Sequence, residues 1–205
     1  HFRMTGLSFA DHSHGTRVIG NKICGNDGVY SETPAVETWK RGGGDNFRAV
    51  LLVLQPDTSL DLSVSQCPTH TYIQMFKRTE DLVEEIQKLT PEELADKMGL
   101  GKKVGKAHHE RFQKFSKLPG KQACLILGGE GLQAAEFSSG DQKYAETHLR
   151  LISGLYGVMR PYDDVKPVRD FPMGAELSTK RGKTVAEFWE NSITKQLGKD
   201  AVAAA

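Results

Sequence analysis

Between Lys97 and Phe112 the chain reads KMGLGKKVGKAHHERF, and these residue types suit the holding of an anion. Met98-Gly99-Leu100-Gly101 fits an apolar-Gly-apolar-Gly reversal between two helices. Gly99 and Gly101 can take positive φ without steric cost, so the bend can be tight. Met98, Leu100 and Val104 then pack inward and fix the angle between the helices. Amides at the bend and at the start of the second helix stay unpaired and point outward. With the positive end of the helix dipole they form a phosphate site. Lys102, Lys103 and Lys106 flank it, and Arg111 lies farther along the same helix. From Lys97 to Lys121 there are eight Lys/Arg residues against one acid, Glu110. Such a stripe suits sequence-independent contact with a nucleic-acid backbone. The same residues also fit a plain glycine helix end followed by a solvated lysine face.

A second constellation lies downstream. Arg150, Arg160 and Arg169 can supply permanently charged planar forks suited to phosphate or carboxylate. Ser153 and Tyr156 add neutral donors, and Asp163 can orient one of the arginines. The competing arrangement makes Leu149, Leu151, Ile152 and Leu155 core and pairs Arg150 with a nearby acid. His108 and His109 are adjacent, so on a helix they diverge and cannot chelate one metal together; His109 reads as a surface histidine, with a phosphate contact open to it. His12-Ser13-His14 sits in an irregular stretch, a poor setting for a metal. No metal site, cofactor or catalytic residue emerges from spacing.

These groups must be carried by ordinary elements. At 205 residues, with 38% hydrophobic and 26% charged content, the chain can bury one substantial core and is not of disordered composition. Its net charge of +1 leaves any attraction to nucleic acid to local clustering. Cys24, Cys67 and Cys124 are sparse and odd in number, which favours reduced thiols and a cytoplasmic setting. No apolar run reaches membrane-span length, so no membrane partner is expected. The start lacks a basic-then-apolar leader pattern.

Residues 1–48 are glycine-broken and read as an irregular extension; residues 49–205 form the folded domain. Ala49–Leu54 reads as a buried strand stopped by Pro56. Tyr72 to Leu89 carries helical spacing. Thr90-Pro91-Glu92-Glu93 opens a helix to about Met98, and a partner follows from Lys102 to about Phe115. Lys121–Leu127 reads as a second buried strand. Ser138 with Asp141 opens a helix continuing through Leu149, Leu151 and Ile152. Tyr156 to Leu177 is turn-rich, and Thr184 with Glu187 caps a last helix to about Leu197. The fold class is therefore mixed α/β (α+β), with the helix-hairpin-helix at about 90–115.

The run HLRLISGLYGVMRPYD (148–163) closely resembles the signature of the YaaA family, the bacterial peroxide stress proteins and their relatives. The family hallmark reads Leu-Arg-x-Leu-Ser-Gly-Leu-Tyr-Gly-x-Leu-Arg-Pro-x-Asp. Gly131-Leu132-Gln133-Ala134, Arg181-Gly182-Lys183 and Phe188-Trp189 agree in order, and Leu89-Thr90-Pro91 with the glycine bend falls where the family carries its helix-hairpin-helix. The resemblance covers roughly Val50 to Leu197. It implies a cytosolic protein with an unusual mixed α/β fold around a positively charged cleft. It further implies DNA binding and protection from hydrogen peroxide through limiting free intracellular iron. It implies no assigned reaction.

The chain departs from the family pattern in places. The family's opening strand ends Ser-Pro-Ala-Lys, whereas Gln55-Pro56-Asp57-Thr58 stands here without the lysine. A Tyr-Arg-Leu-Glu-Met stretch becomes Val168-Arg169-Asp170-Phe171-Pro172-Met173. Residues are missing around Gly128 to Gly131, and the chain ends before the family's C-terminal segment, as a fragment would. Three functions are thus in view. They are a DNA-binding stress protein, an enzyme or binding protein for a phosphorylated or carboxylated small molecule, and a degenerate relative without chemistry.

Overall fold

A computed structural model describes residues 51–56, 60, 69–127 and 137–204. The N-terminal extension, Cys24, Cys67, Asp57-Thr58 and Gly131–Ala134 lie outside the described residues. Strand β1 (Leu52–Leu54) runs parallel to β3 (Leu149–Ser153), with Leu52 opposite Leu149 and Leu54 opposite Leu151. Strand β4 (Gly157–Met159) returns antiparallel on the other side of β3, giving the order β1-β3-β4. Two small antiparallel pairs accompany this sheet. One joins β2 (Lys121–Gln122) to β5 (Asp164–Val165), the other β6 (Glu176–Thr179) to β7 (Gly182–Thr184).

Helix α1 (Phe76–Ile86) buries Leu82, Val83 and Ile86, a spacing that sets them on one face. Helix α2 (Pro91–Lys97) starts on the expected capping box, the Thr90 hydroxyl accepting from the Glu93 amide while the Glu93 carboxylate takes the Thr90 amide. Helix α3 is Lys102–Gln113, followed by a short 3₁₀ turn at Phe115–Lys117. A second capping box, Ser138 with Asp141, opens α5 (Ser139–His148). Among the described residues no helix is long and apolar enough to cross a membrane.

Three expectations about these elements are corrected. Lys121–Leu127 is not a strand beyond Gln122, because Ala123–Ile126 makes a buried helical turn, α4. The Ala123 and Cys124 amides donate to the Asp163 and Pro161 carbonyls at 2.9 and 2.8 Å, which draws the chain out of any ladder. The helix from Ser138 ends at His148, and Leu149–Ser153 is strand. A short apolar run suits either form, and here the parallel edge of β1 supplies the partner that decides it. The last helix is broken in two. Glu190 sits at φ 47, separating α6 (Val185–Trp189) from α7 (Ser192–Ala203).

The main core gathers the fully buried rings of Trp189, Tyr156, Phe112, Phe171 and Phe188, while Tyr162 is buried in a smaller cluster with Cys124 and Leu125. Phe188 meets Trp189 edge-on, and the Trp189 indole donates to the Gly154 carbonyl at 2.7 Å. Helix α7 is tied to β3 by one buried ion pair, Arg150 Nε to Asp200 at 2.6 Å. Removing one partner of such a pair strands the other's charge. Asp200→Ala should therefore destabilise the protein by about 3 kcal/mol, the low end for such pairs because Arg150 keeps two carbonyl acceptors. Urea unfolding checks this, and an unchanged midpoint would contradict it.

Candidate nucleic-acid interface

The reversal from α2 to α3 is built by Met98–Gly101. Gly99 takes φ +62, a region that suits glycine. Gly101 instead has φ −66 and stands as the N-cap of α3, so the expected pair of positive-φ glycines is one. Met98 is buried and Leu100 packs against the core, as their apolar character predicts. Val104 is 47% exposed, contrary to expectation: its side chain leaves the seam, and Gly105 faces α2 instead.

The amides of the bend are also used differently from the expectation. Those of Met98, Gly99 and Leu100 donate to the Leu94, Asp96 and Ala95 carbonyls, finishing α2. The leading amides of α3 remain. Among the described residues no side chain caps that end, and Gly101, Lys102, Lys103 and Val104 are all exposed. First-turn amides have no acceptor within their own helix, so this end presents partial positive charge to solvent. Lys102, Lys103 and Lys106 are exposed around it. Arg111 is farther off, partly buried, with its guanidinium 3.4 Å from the Pro167 carbonyl.

The paired histidines diverge as a helix demands. His109 Nε2 lies 3.0 Å from the Leu89 carbonyl, fastening α3 to the start of α2. His108 turns the other way and is half-buried. Burial holds its pKa below the ordinary value, helped by the charges of Arg111 and Arg169.

The downstream constellation is largely consumed by the fold. Arg150 is buried against Asp200. The Ser153 hydroxyl donates to the Asp170 carboxylate and accepts from the Leu155 and Tyr156 amides, so it organises the β3–β4 turn. The Tyr156 hydroxyl donates to the Lys166 carbonyl and accepts from its amide, and burial raises its pKa. Asp163 does hold an arginine, as its spacing suggested. It receives Arg160 Nη2 at 2.9 Å, the Arg160 amide at 2.8 Å and the Thr71 hydroxyl at 2.8 Å. Burial still raises the Asp163 pKa, with these contacts acting against it. Arg160 keeps a quarter of its side chain exposed, and Arg169 is partly buried.

Several participants carry no local signal in the sequence. Asp200 stands fifty positions from Arg150. Asp170 stands in the expected segment, yet only the fold reveals that it clamps the Ser153 turn through the Gly154 and Leu155 amides. Glu146 lies 3.5 Å from Arg160 Nε, a guanidinium held closer by Asp163. Among the described residues no three His, Cys, Asp or Glu side chains group as metal ligands.

A sequence profile described as "Peroxide stress protein YaaA" matches residues 50–204. The chain belongs to the YaaA family. A UPF0246 protein of Cellvibrio japonicus is 35% identical over 159 residues, covering 74% of this chain and 61% of the relative. Similar proteins of Phenylobacterium zucineum and Cupriavidus metallidurans are 37% and 34% identical, covering 74% of this chain in each case and 59% and 60% of themselves. This YaaA-family chain thus spans about three-fifths of the length of the curated relatives it matches.

Glu146 provides a test of the local electrostatics. Burial raises its pKa above 4.5, Arg160 pulls it back, and Asp163 pushes it up again. A carboxyl raised in the folded state stabilises fully below its unfolded value, and that contribution is lost as pH rises through the folded value. Glu146→Gln should therefore raise neutral-pH stability and flatten the decline that begins above about pH 4.5. Thermal melts from pH 4 to 8 measure this; a variant less stable than wild type at pH 7 would show that the Arg160 contact outweighs burial.

Proposed function

We propose that this YaaA-family chain binds nucleic acid through its sugar–phosphate backbone, at the start of α3. The observation that carries this reading is the exposed, uncapped first turn at Gly101–Val104 with Lys102, Lys103 and Lys106 around it. A helix N-terminus accepts one phosphate, and flanking ammonium groups extend the contact along a strand without reading bases. The helix-hairpin-helix is the device that sets those amides and lysines on one surface. Membership in a peroxide-stress family supports a role in guarding DNA from oxidants in the cytosol, with limitation of free iron as its chemical basis.

The alternative, an enzyme or binding protein for a phosphorylated or carboxylated small molecule, has less support. Arg150, Ser153, Tyr156 and Asp163 are engaged inside the fold, which leaves Arg160 and Arg169 as its cationic groups. No nucleophile–base pair accompanies them in that set.

Lys102→Ala and Lys103→Ala should each weaken duplex binding about equally across sequences. Each should lower the slope of log affinity against log salt by about one. Fluorescence anisotropy of a labelled duplex at several salt concentrations measures both quantities. Unchanged affinity and slope in the double variant would remove the start of α3 from the binding surface.

A further inference from the structure

Helix α3 has a second cationic face, one turn or more beyond its exposed start. His108 and Arg111 are three positions apart and so share a side of the helix. That side meets the segment after β5, where the Arg111 guanidinium reaches the Pro167 carbonyl at 3.4 Å. Arg169 follows two positions on. The His108 Nδ1 atom is buried there with no hydrogen-bond partner among the described residues. Neither Arg111 nor Arg169 forms an ion pair among the described residues, whereas Arg150 and Arg160 both face carboxylates.

Among the described residues, the charged groups acting on His108 are Arg111 from its own helix and Arg169 from the facing segment. Lys166, in the same segment, has its ammonium turned to the Leu118 carbonyl at 2.8 Å. Two guanidinium groups act on the imidazole and no carboxylate does so among the described residues, so the described part of the site lacks negative charge. Guanidinium forks match phosphate oxygens in geometry, and an imidazole beside a bound dianion gains a reason to hold its proton.

We propose that His108, Arg111 and Arg169 form a phosphate-binding site that takes up a proton at His108 as the anion enters. Arg111 and Arg169 donate to the phosphate oxygens, and protonated His108 adds a third charged donor. The phosphate belongs either to a nucleic-acid strand or to a small phosphorylated molecule, since the three groups read only the oxyanion. The site does not rest on the contact at the start of α3, and it joins a residue of that helix to one from the signature-side segment.

The test follows the His108 ring signals by NMR in the full chain from pH 5 to 8. Spectra are compared in chloride and in inorganic phosphate at matched ionic strength. Without phosphate the His108 midpoint should lie below 6.5; with phosphate it should rise by about one pH unit or more. Arg169→Gln and Arg111→Gln should each bring the chloride midpoint toward the ordinary value and abolish the response to phosphate. A duplex added in chloride separates the sources. Movement with duplex alone assigns the site to strand phosphates, and movement with inorganic phosphate assigns it to small anions as well. Lys102→Ala/Lys103→Ala should keep the inorganic-phosphate response even where duplex binding is lost. A His108 midpoint unmoved by phosphate and by duplex would overturn the proposal.

Discussion

Residue 105 has no side chain, and the seating of α3 on α2 depends on that. A methyl group there would overlap the Ala95 methyl and press on the Ala95 Cα, 3.0 Å away, and the Pro91 carbonyl, 3.3 Å away. Two helices brought this close leave little room for the chain between them, and Gly99 absorbs the reversal at positive φ. The Leu100 amide then reaches the Ala95 carbonyl at 2.7 Å, which spends the bend on closing α2. The first turn of α3 is left projecting into solvent with nothing of its own to cap it. The cationic character of that surface therefore originates in helix packing as much as in the lysines.

The arginines divide by the same logic of what the fold has already claimed. Arg150 and Asp200 are both buried and tie the last helix to the central strand, so their charges cancel inside the protein. Arg160 is held by Asp163, itself fixed by Thr71, and this node links the 71–72 segment to the end of the signature run. Such groups are polar joints in a small domain whose sheets are short. Lys102, Lys103, Lys106 and Arg111 all lie on α3 and form no ion pair among the described residues, which joins the two parts of the proposed interface on one helix.

Helix starts were legible because caps are local chemistry. Thr90 with Glu93 and Ser138 with Asp141 each close a reciprocal pair within four residues, and both form. Apolar runs were less legible. Ala123–Ile126 and Leu149–Ser153 are alike in burial, and only distant partners make the first a helical turn and the second a strand. The break at Glu190 and the outward turn of Val104 depend on packing that no short window contains. The same holds for the candidate site. Lysines near a glycine bend can be read from order alone, but Arg150 bound to Asp200, Ser153 bound to Asp170 and the unpartnered His108 nitrogen arise from contacts across the chain.

On the proposed reading, the leading amides of α3 hold a strand phosphate. Backbone amide NMR shifts of the full chain, recorded as a short duplex is added at low and at moderate salt, test it directly. Saturable movement is expected at Gly101 through Val104, weakened by salt and accompanied by smaller changes at Lys106. Stationary signals at those four amides, whether the duplex binds elsewhere or not at all, would contradict it.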